Sequence, residues 1–408
     1  MKRFIAHSLL LLLLLFSCSC SNNSDAGEVI PKYEISFTKV ASIENLDFSK
    51  QETVSHIPFM GRIDADKWGR VYVADGGLMR ESQTVRVFNE YGNHVTDVGR
   101  SGSGPGEFRN LSHINIRSDR MIAYDEMQSK LNIYYLSEPG SEIEVEFSNS
   151  LKLDPGNWSH IDVLNATQPV EFYLSESDHV LIGFRQHSSS SDPDRKRMMY
   201  YFLMDMEGRL MPDKIFEREY VGFFEGTGVP SPQLISSWNF PFTRSSLFTV
   251  SGNGNIFSAW TEDFLIDVYD PDGNHLRTFE FPFKKSKLDR NEIIHLYADH
   301  SSSRVASRAR RENFPETWPA MHQMIADDLN RLWVATITDD SEHYEWWVMD
   351  EYGKLLATFK WPGSRLLRTT EQQEIKRVKN DYVYTHRTDE DTEIEKIIVY
   401  RIKMDGVD

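Results

Sequence analysis

Short runs in which apolar and polar residues alternate recur along most of the chain, separated by turn residues. The clearest unit is Ile63-Asp-Ala-Asp-Lys-Trp-Gly-Arg-Val-Tyr-Val-Ala-Asp75, then Thr84 to Asn89, then Tyr91 to Gly99. It reads as strand, tight turn at Trp68-Gly69, strand, longer loop, strand, tight turn at Tyr91-Gly92, strand. The same order recurs from Thr249 to Phe281 and from Met324 to Phe359, with weaker copies from Ile114 to Tyr135, Glu171 to Phe216 and Val378 to Lys403. The residues opening the second strands, Val71, Met121, Val180, Ile256, Leu332 and Tyr382, lie 50 to 76 positions apart. A four-stranded unit cannot bury both faces alone, so six of them predict an all-β, six-bladed β-propeller. The last unit lacks an outer strand. Glu34 to Ser42 is predicted to supply it, closing the ring and covering an edge open to aggregation.

Loop lengths sort the two faces. The turns at Trp68-Gly69, Tyr91-Gly92, Gly208, Gly273 and Gly353 are short. The opposite connections are long: 76–83, 186–197, 338–343 and 387–392 within blades, and 100–110, 148–167, 217–244 and 282–320 between them. Long loops gathered on one rim of a rigid scaffold are where binding residues concentrate. The inserts at 217–244 and 282–320 carry unusual numbers of aromatics beside proline (Tyr220 to Phe224, Trp238 to Phe242, Phe314 to Pro319) and are expected to pack as a lid. Helical spacing of Ile293, Ile294, Tyr297 and Ala298 predicts a helix within 289–309. Beyond it Arg304, Arg308, Arg310 and Arg311 form either a solvated face or a cationic patch for an acidic ligand.

The N-terminus changes the picture from fold to compartment. Lys2 and Arg3 precede an apolar run from Leu9 to Phe16 that is too short to span a bilayer but suits a secretory leader. Residues 1–18 are therefore read as a signal peptide, 19–33 as a flexible tether and 34–408 as a single propeller. Both cysteines, Cys18 and Cys20, lie here, so the domain has no disulfide. The chain has 45 basic and 62 acidic residues, a net charge of −17. Such a balance repels phosphate backbones and disfavours nucleic acid as a partner.

Two resemblances follow from these residues. Leu15-Phe16-Ser17-Cys18 resembles a bacterial lipobox, which implies acylation of Cys18, with Cys20 as the alternative acceptor. The first unit, ending in Asp97-Val-Gly-Arg-Ser-Gly-Ser-Gly-Pro-Gly-Glu-Phe108, resembles the NHL repeat and the six-bladed propeller lipoproteins of Bacteroidetes-like bacteria. The resemblance spans roughly residues 57–404, is close only in the first, fourth and fifth units, and implies a fold and a lipid-anchored place in the cell envelope, periplasmic or surface-facing. It implies no reaction.

Signals of chemistry are sparse. His56, His113, His322 and His386 lie near the long-loop side, but no paired-histidine or cysteine motif accompanies them, and no resident metal or cofactor is predicted. Asp64-Ala-Asp66 and Asp327-Asp328 fall on the short-turn face and suit turn capping rather than calcium. No Gly-x-Ser-x-Gly elbow is present. Gly102 to Gly106 lacks the Lys-Ser/Thr and helix of a phosphate loop and reads as a tight link between blades. Residues combining an apolar body with a polar tip on the long-loop face are the candidate ligand contacts: Arg109, His113, Arg185, Trp238, Arg244, Trp318 and His322. The expected function is non-catalytic binding of a peptide, glycan or envelope protein. The alternative is a metal-dependent lactonase or lyase at the central channel, with calcium or another divalent ion as cofactor.

Overall fold

A computed structural model describes residues 31–46, 62–77, 82–175, 179–186, 197–221, 242–298, 310, 314–365, 373–388 and 395–406. All belong to one compact unit, Pro31–Asp408. Six four-stranded antiparallel sheets make six blades. Their innermost strands, which surround the channel, are Ile63–Ala65, Leu111–Arg117, Thr167–Leu174, Ser246–Val250, Met321–Ala326 and Gln373–Lys379. In blade 6 the outer strand comes from the other end of the chain: Tyr33–Leu46 pairs antiparallel with Glu395–Gly406, from Tyr33↔Gly406 to Leu46↔Glu395. The N-terminal closure read from the sequence is thus present.

One turn recurs on the short-turn face. The Asp66 carboxylate accepts the backbone N–H groups of Trp68 and Arg70, the Arg70 Nε at 2.6 Å and the Tyr72 hydroxyl at 2.9 Å. Asp327 repeats the pattern with Leu329, Arg331 and the Trp333 indole. Asn89, Asp205, Asp270 and Asp350 cap the equivalent hairpins. A short polar side chain followed three residues later by a residue with positive φ is the signature of this turn.

Between blades the core is apolar and aromatic. Trp333, Trp346, Trp361, Ile375 and Val383 pack between blades 5 and 6, and Tyr124, Phe172, Phe184 and Phe202 between blades 2 and 3. Fully burying side chains of this size contributes about 1.5–3 kcal/mol each.

Two loop bounds change. Residues 217–221 are not loop but the end of the outer strand Leu210–Val221 of blade 3, and 148–152 are the end of the outer strand Val145–Lys152 of blade 2. That strand is largely exposed, so it lacks the alternation that marks the inner strands. The predicted helix is seen as Arg290–Ala298, and 299–309 lie outside the described residues.

Candidate functional site

The inner strands deliver their side chains to the channel in register. Nearer the short turns each blade presents one residue at the same level: Asp64, Asn115, Tyr173, Thr249, Ile325 and Arg377. Most stitch to the following blade. Asp64 accepts the N–H of Ile116 at 2.7 Å, Asn115 that of Leu174 at 2.8 Å and Thr249 that of Ala326 at 3.0 Å. Nearer the long loops the corresponding residues are His113, Glu171, Leu247, Gln323 and Glu374. Register shifts around Ser112, Val170, His322 and Lys376 mark bulges at this end, which re-aim side chains beside the channel mouth.

Between blades 5 and 6 the long-loop end holds a cavity of about 60 Å³ bordered by His322, Tyr344, Trp346, Trp361, Arg365 and Glu374. The His322 and Tyr344 rings stack 4.2 Å apart at 8°. His322 is exposed to water yet crowded by protein, and that crowding lowers its pKa to about 4, leaving it neutral near pH 7. Lys376 is ion-paired with Glu374 and holds its carboxyl below the usual range, so the cavity wall carries an ionised carboxylate matched by a lysine. Trp346 is almost fully buried, and its indole N–H finds no acceptor among the described residues. Leaving such a donor unpaired costs roughly 1–3 kcal/mol. Flat apolar surface beside an ionised carboxylate is a feature of recognition.

The predicted contacts do not converge on one place. His322 borders the cavity. His113 lies on the channel wall of blade 2, where its Nε2 is 3.1 Å from the Phe172 carbonyl. A carbonyl only accepts, so Nε2 carries the proton. Burial pushes the His113 pKa down to about 4. Arg109 is exposed; its Nε donates to Ser103 and its backbone N–H to Asp125. Arg185 sits in the second strand of blade 3, opposite Gln168 and Met199.

Arg244 and Trp318 are both engaged in packing against the blades. Arg244 is ion-paired with Glu262 and bonds the carbonyls of Phe242 and Thr317. Trp318 is wholly buried in the core between blades 5 and 6, with Arg365 above its ring at 5.2 Å. The aromatic character that marked Trp318 as a binding anchor reflects its packing into the core between blades 5 and 6. Trp238, Cys18, Cys20, His56 and, apart from the exposed Arg310, the arginine run lie outside the described residues. Among the described residues no group of three or more His, Cys, Asp or Glu side chains is placed to hold a metal.

The sequence reading missed Glu171, Tyr201 and Arg218. Arg218, on the outer strand of blade 3, reaches inward to Glu171 at 2.9 Å and to the Tyr201 hydroxyl at 2.8 Å, and packs over Phe248 of blade 4. Gly183 makes this feasible, since a Cβ there would stand 2.8 Å from the Tyr201 ring. The three polar residues lie in different strands, and only lining up the repeats would have placed Glu171 and Tyr201 in one row.

A family described as a 6-bladed beta-propeller (DUF5128) matches residues 18–197. No curated protein matches the sequence. Among solved structures, one from Bacteroides fragilis named as an exported protein is 14% identical, with a TM-score of 0.46, covering 92% of this chain and 96% of its own. A member of the duf4221 family from Bacteroides vulgatus is 10% identical, with a TM-score of 0.48, covering 92% and 99%. A catalytically inactive virginiamycin B lyase from Staphylococcus aureus, solved with quinupristin, is 9% identical, with a TM-score of 0.36, covering 90% and 99%. The chain is an all-β six-bladed propeller of four-stranded antiparallel blades, with Bacteroides proteins among its structural neighbours.

Proposed function

We propose that this chain is an NHL-like envelope propeller, anchored through an acylated Cys18 or Cys20, that binds a peptide, a glycan or a partner protein at the long-loop end of its channel without transforming it. The observation that carries this reading is the cavity between blades 5 and 6, where the stacked His322–Tyr344 pair, Trp346, Trp361 and the Glu374 carboxylate line one small recess. Its small volume suits one projecting group of a larger ligand, such as a sugar hydroxyl or a peptide carbonyl.

The test is binding of the leaderless chain to a panel of capped peptides and neutral oligosaccharides, followed by His322→Ala. This substitution removes the stacked ring from a water-facing position. The expected result is a binder whose affinity falls about tenfold or more in the variant at an unchanged melting temperature. Binding that ignores His322→Ala would remove the cavity from the account. Turnover of an ester or lactone by the same preparation would sink the non-catalytic reading.

A further inference from the structure

Blades radiating from a channel diverge towards the rim, so their outer strands must meet or leave a gap. Phe359 of blade 5 packs on Phe37 of blade 6 with ring centroids 4.7 Å apart, and Phe216 of blade 3 on Tyr269 of blade 4 at 4.8 Å. Between blades 1 and 2 the corresponding space is an open groove of about 740 Å³. Val95, Ile143 and Phe147 border it and are 40%, 57% and 38% exposed. Phe147 stands edge-on to Tyr134, with ring centroids 5.7 Å apart. It belongs to Val145–Lys152, the outermost strand of its sheet, in which Glu146 to Asn149 are all exposed. A free edge of this kind is a template for a further strand unless charge, proline or a bulge blunts it. Apart from a bulge at Ser148, the stretch from Phe147 to Leu151 carries none of these. The charges sit at the two ends. Glu142 lies five positions before Phe147 and Lys152 five positions after it, and neither is ion-paired among the described residues. The other charges of this rim are already engaged: Glu144 with Arg70 and Glu107 with Arg100, each at 2.8 Å, and Asp97 with His94 at 2.7 Å. Glu146 lies across from Tyr135, on the sheet's other face, in one row with Arg120.

We propose that this edge pairs with the same edge of a second copy of the chain, antiparallel and two-fold symmetric, joining two propellers rim to rim. Centred on Phe147, such a pairing sets Glu142 of each copy opposite Lys152 of the other and brings the two Phe147 rings together. Opposite charges and aromatic pairs across neighbouring strands both stabilise a sheet. Two-fold symmetry makes every such contact twice. The surface shares no residue with the cavity at the long-loop end, and the two stand or fall independently.

Sedimentation equilibrium of the leaderless chain tests it. The expected result is a monomer–dimer equilibrium that shifts towards monomer as salt rises. Lys152→Glu, at an exposed position, should raise the dimer dissociation constant about tenfold or more, because it sets Glu142 against a like charge at two symmetric places. Adding Glu142→Lys to that chain reverses both charges and should restore the dimer, which a general loss of folding would not. Phe147→Ser should weaken the dimer, and His322→Ala should leave it unchanged. A chain that stays monomeric at millimolar concentration overturns the proposal. So does a dimer that is indifferent to Lys152→Glu, or one that the double variant fails to restore.

Discussion

His113 shows how a single channel residue couples the fold to pH. Its imidazole ordinarily titrates near 6.5 and is held to about 4 by burial against Phe172. Above pH 6.5 the ring is neutral both folded and unfolded and makes no difference. As pH falls below 6.5 the unfolded chain takes up the proton and the folded chain resists until about pH 4, so stability is lost across that window, by at most about 3 kcal/mol. Thermal unfolding followed from pH 7 to 4 should show a smaller acid-side fall in His113→Gln, which keeps a donor for the carbonyl but does not titrate. An identical pH profile in the variant would show that His113 is not the cause.

The Glu171–Arg218 pair sets a second residue-scale expectation. With side chains 20% and 9% exposed, the pair is a largely desolvated bridge. Arg218→Met strands the Glu171 carboxylate and should cost about 3–5 kcal/mol, whereas the double variant Arg218→Met/Glu171→Gln should cost less than the sum of the singles. Melting temperatures of the four chains read this directly, and additive losses would mean that the bridge is not acting as a unit. At Gly273 the backbone itself decides: φ is +83°, and a Cβ would lie 1.9 Å from the Ile215 carbonyl oxygen of the neighbouring blade. Gly273→Ala should therefore cost more than the roughly 1 kcal/mol of a substitution at an unobstructed turn.

At the scale of elements, ring closure rests on the first described strand. Removing residues 31–46 would uncover the edge of Glu395–Gly406 and take away Ala41 and Ile43, which are buried with Val71, Val73 and Val399. The expected outcome is a lower, broader melting transition and concentration-dependent aggregation seen by light scattering, because an unpaired hydrophobic edge recruits other chains. A truncated chain that stays monomeric with an unchanged melt would mean that blade 6 is self-sufficient with three strands. The turns were the most legible elements. Asp66, Asp327 and their equivalents each stand three residues before a glycine or asparagine, and a local mechanism of that kind is written in four consecutive residues. The outer strand of blade 2 was not legible, because Glu146, Phe147, Ser148 and Asn149 face water and no burial imposes a pattern on them.

For the whole molecule, no group of three or more His, Cys, Asp or Glu side chains among the described residues is placed to hold a metal. Treatment with a chelator should leave the melting temperature where it is; a fall would show that further residues complete a metal site and would revive the metal-assisted reading. The sequence alone determined the number of blades, the closing strand, the capped turns and the acidic character, since each follows from local alternation, turn chemistry or a residue count. Tertiary structure alone decided which polar residues meet. Asp64 and Arg377 are 313 positions apart, and Arg244 reaches Thr317 across 73. A closed ring brings the first blade against the last and two inserts together against the core between blades 5 and 6, so which residues bind and which merely pack depends on contacts that no local pattern encodes.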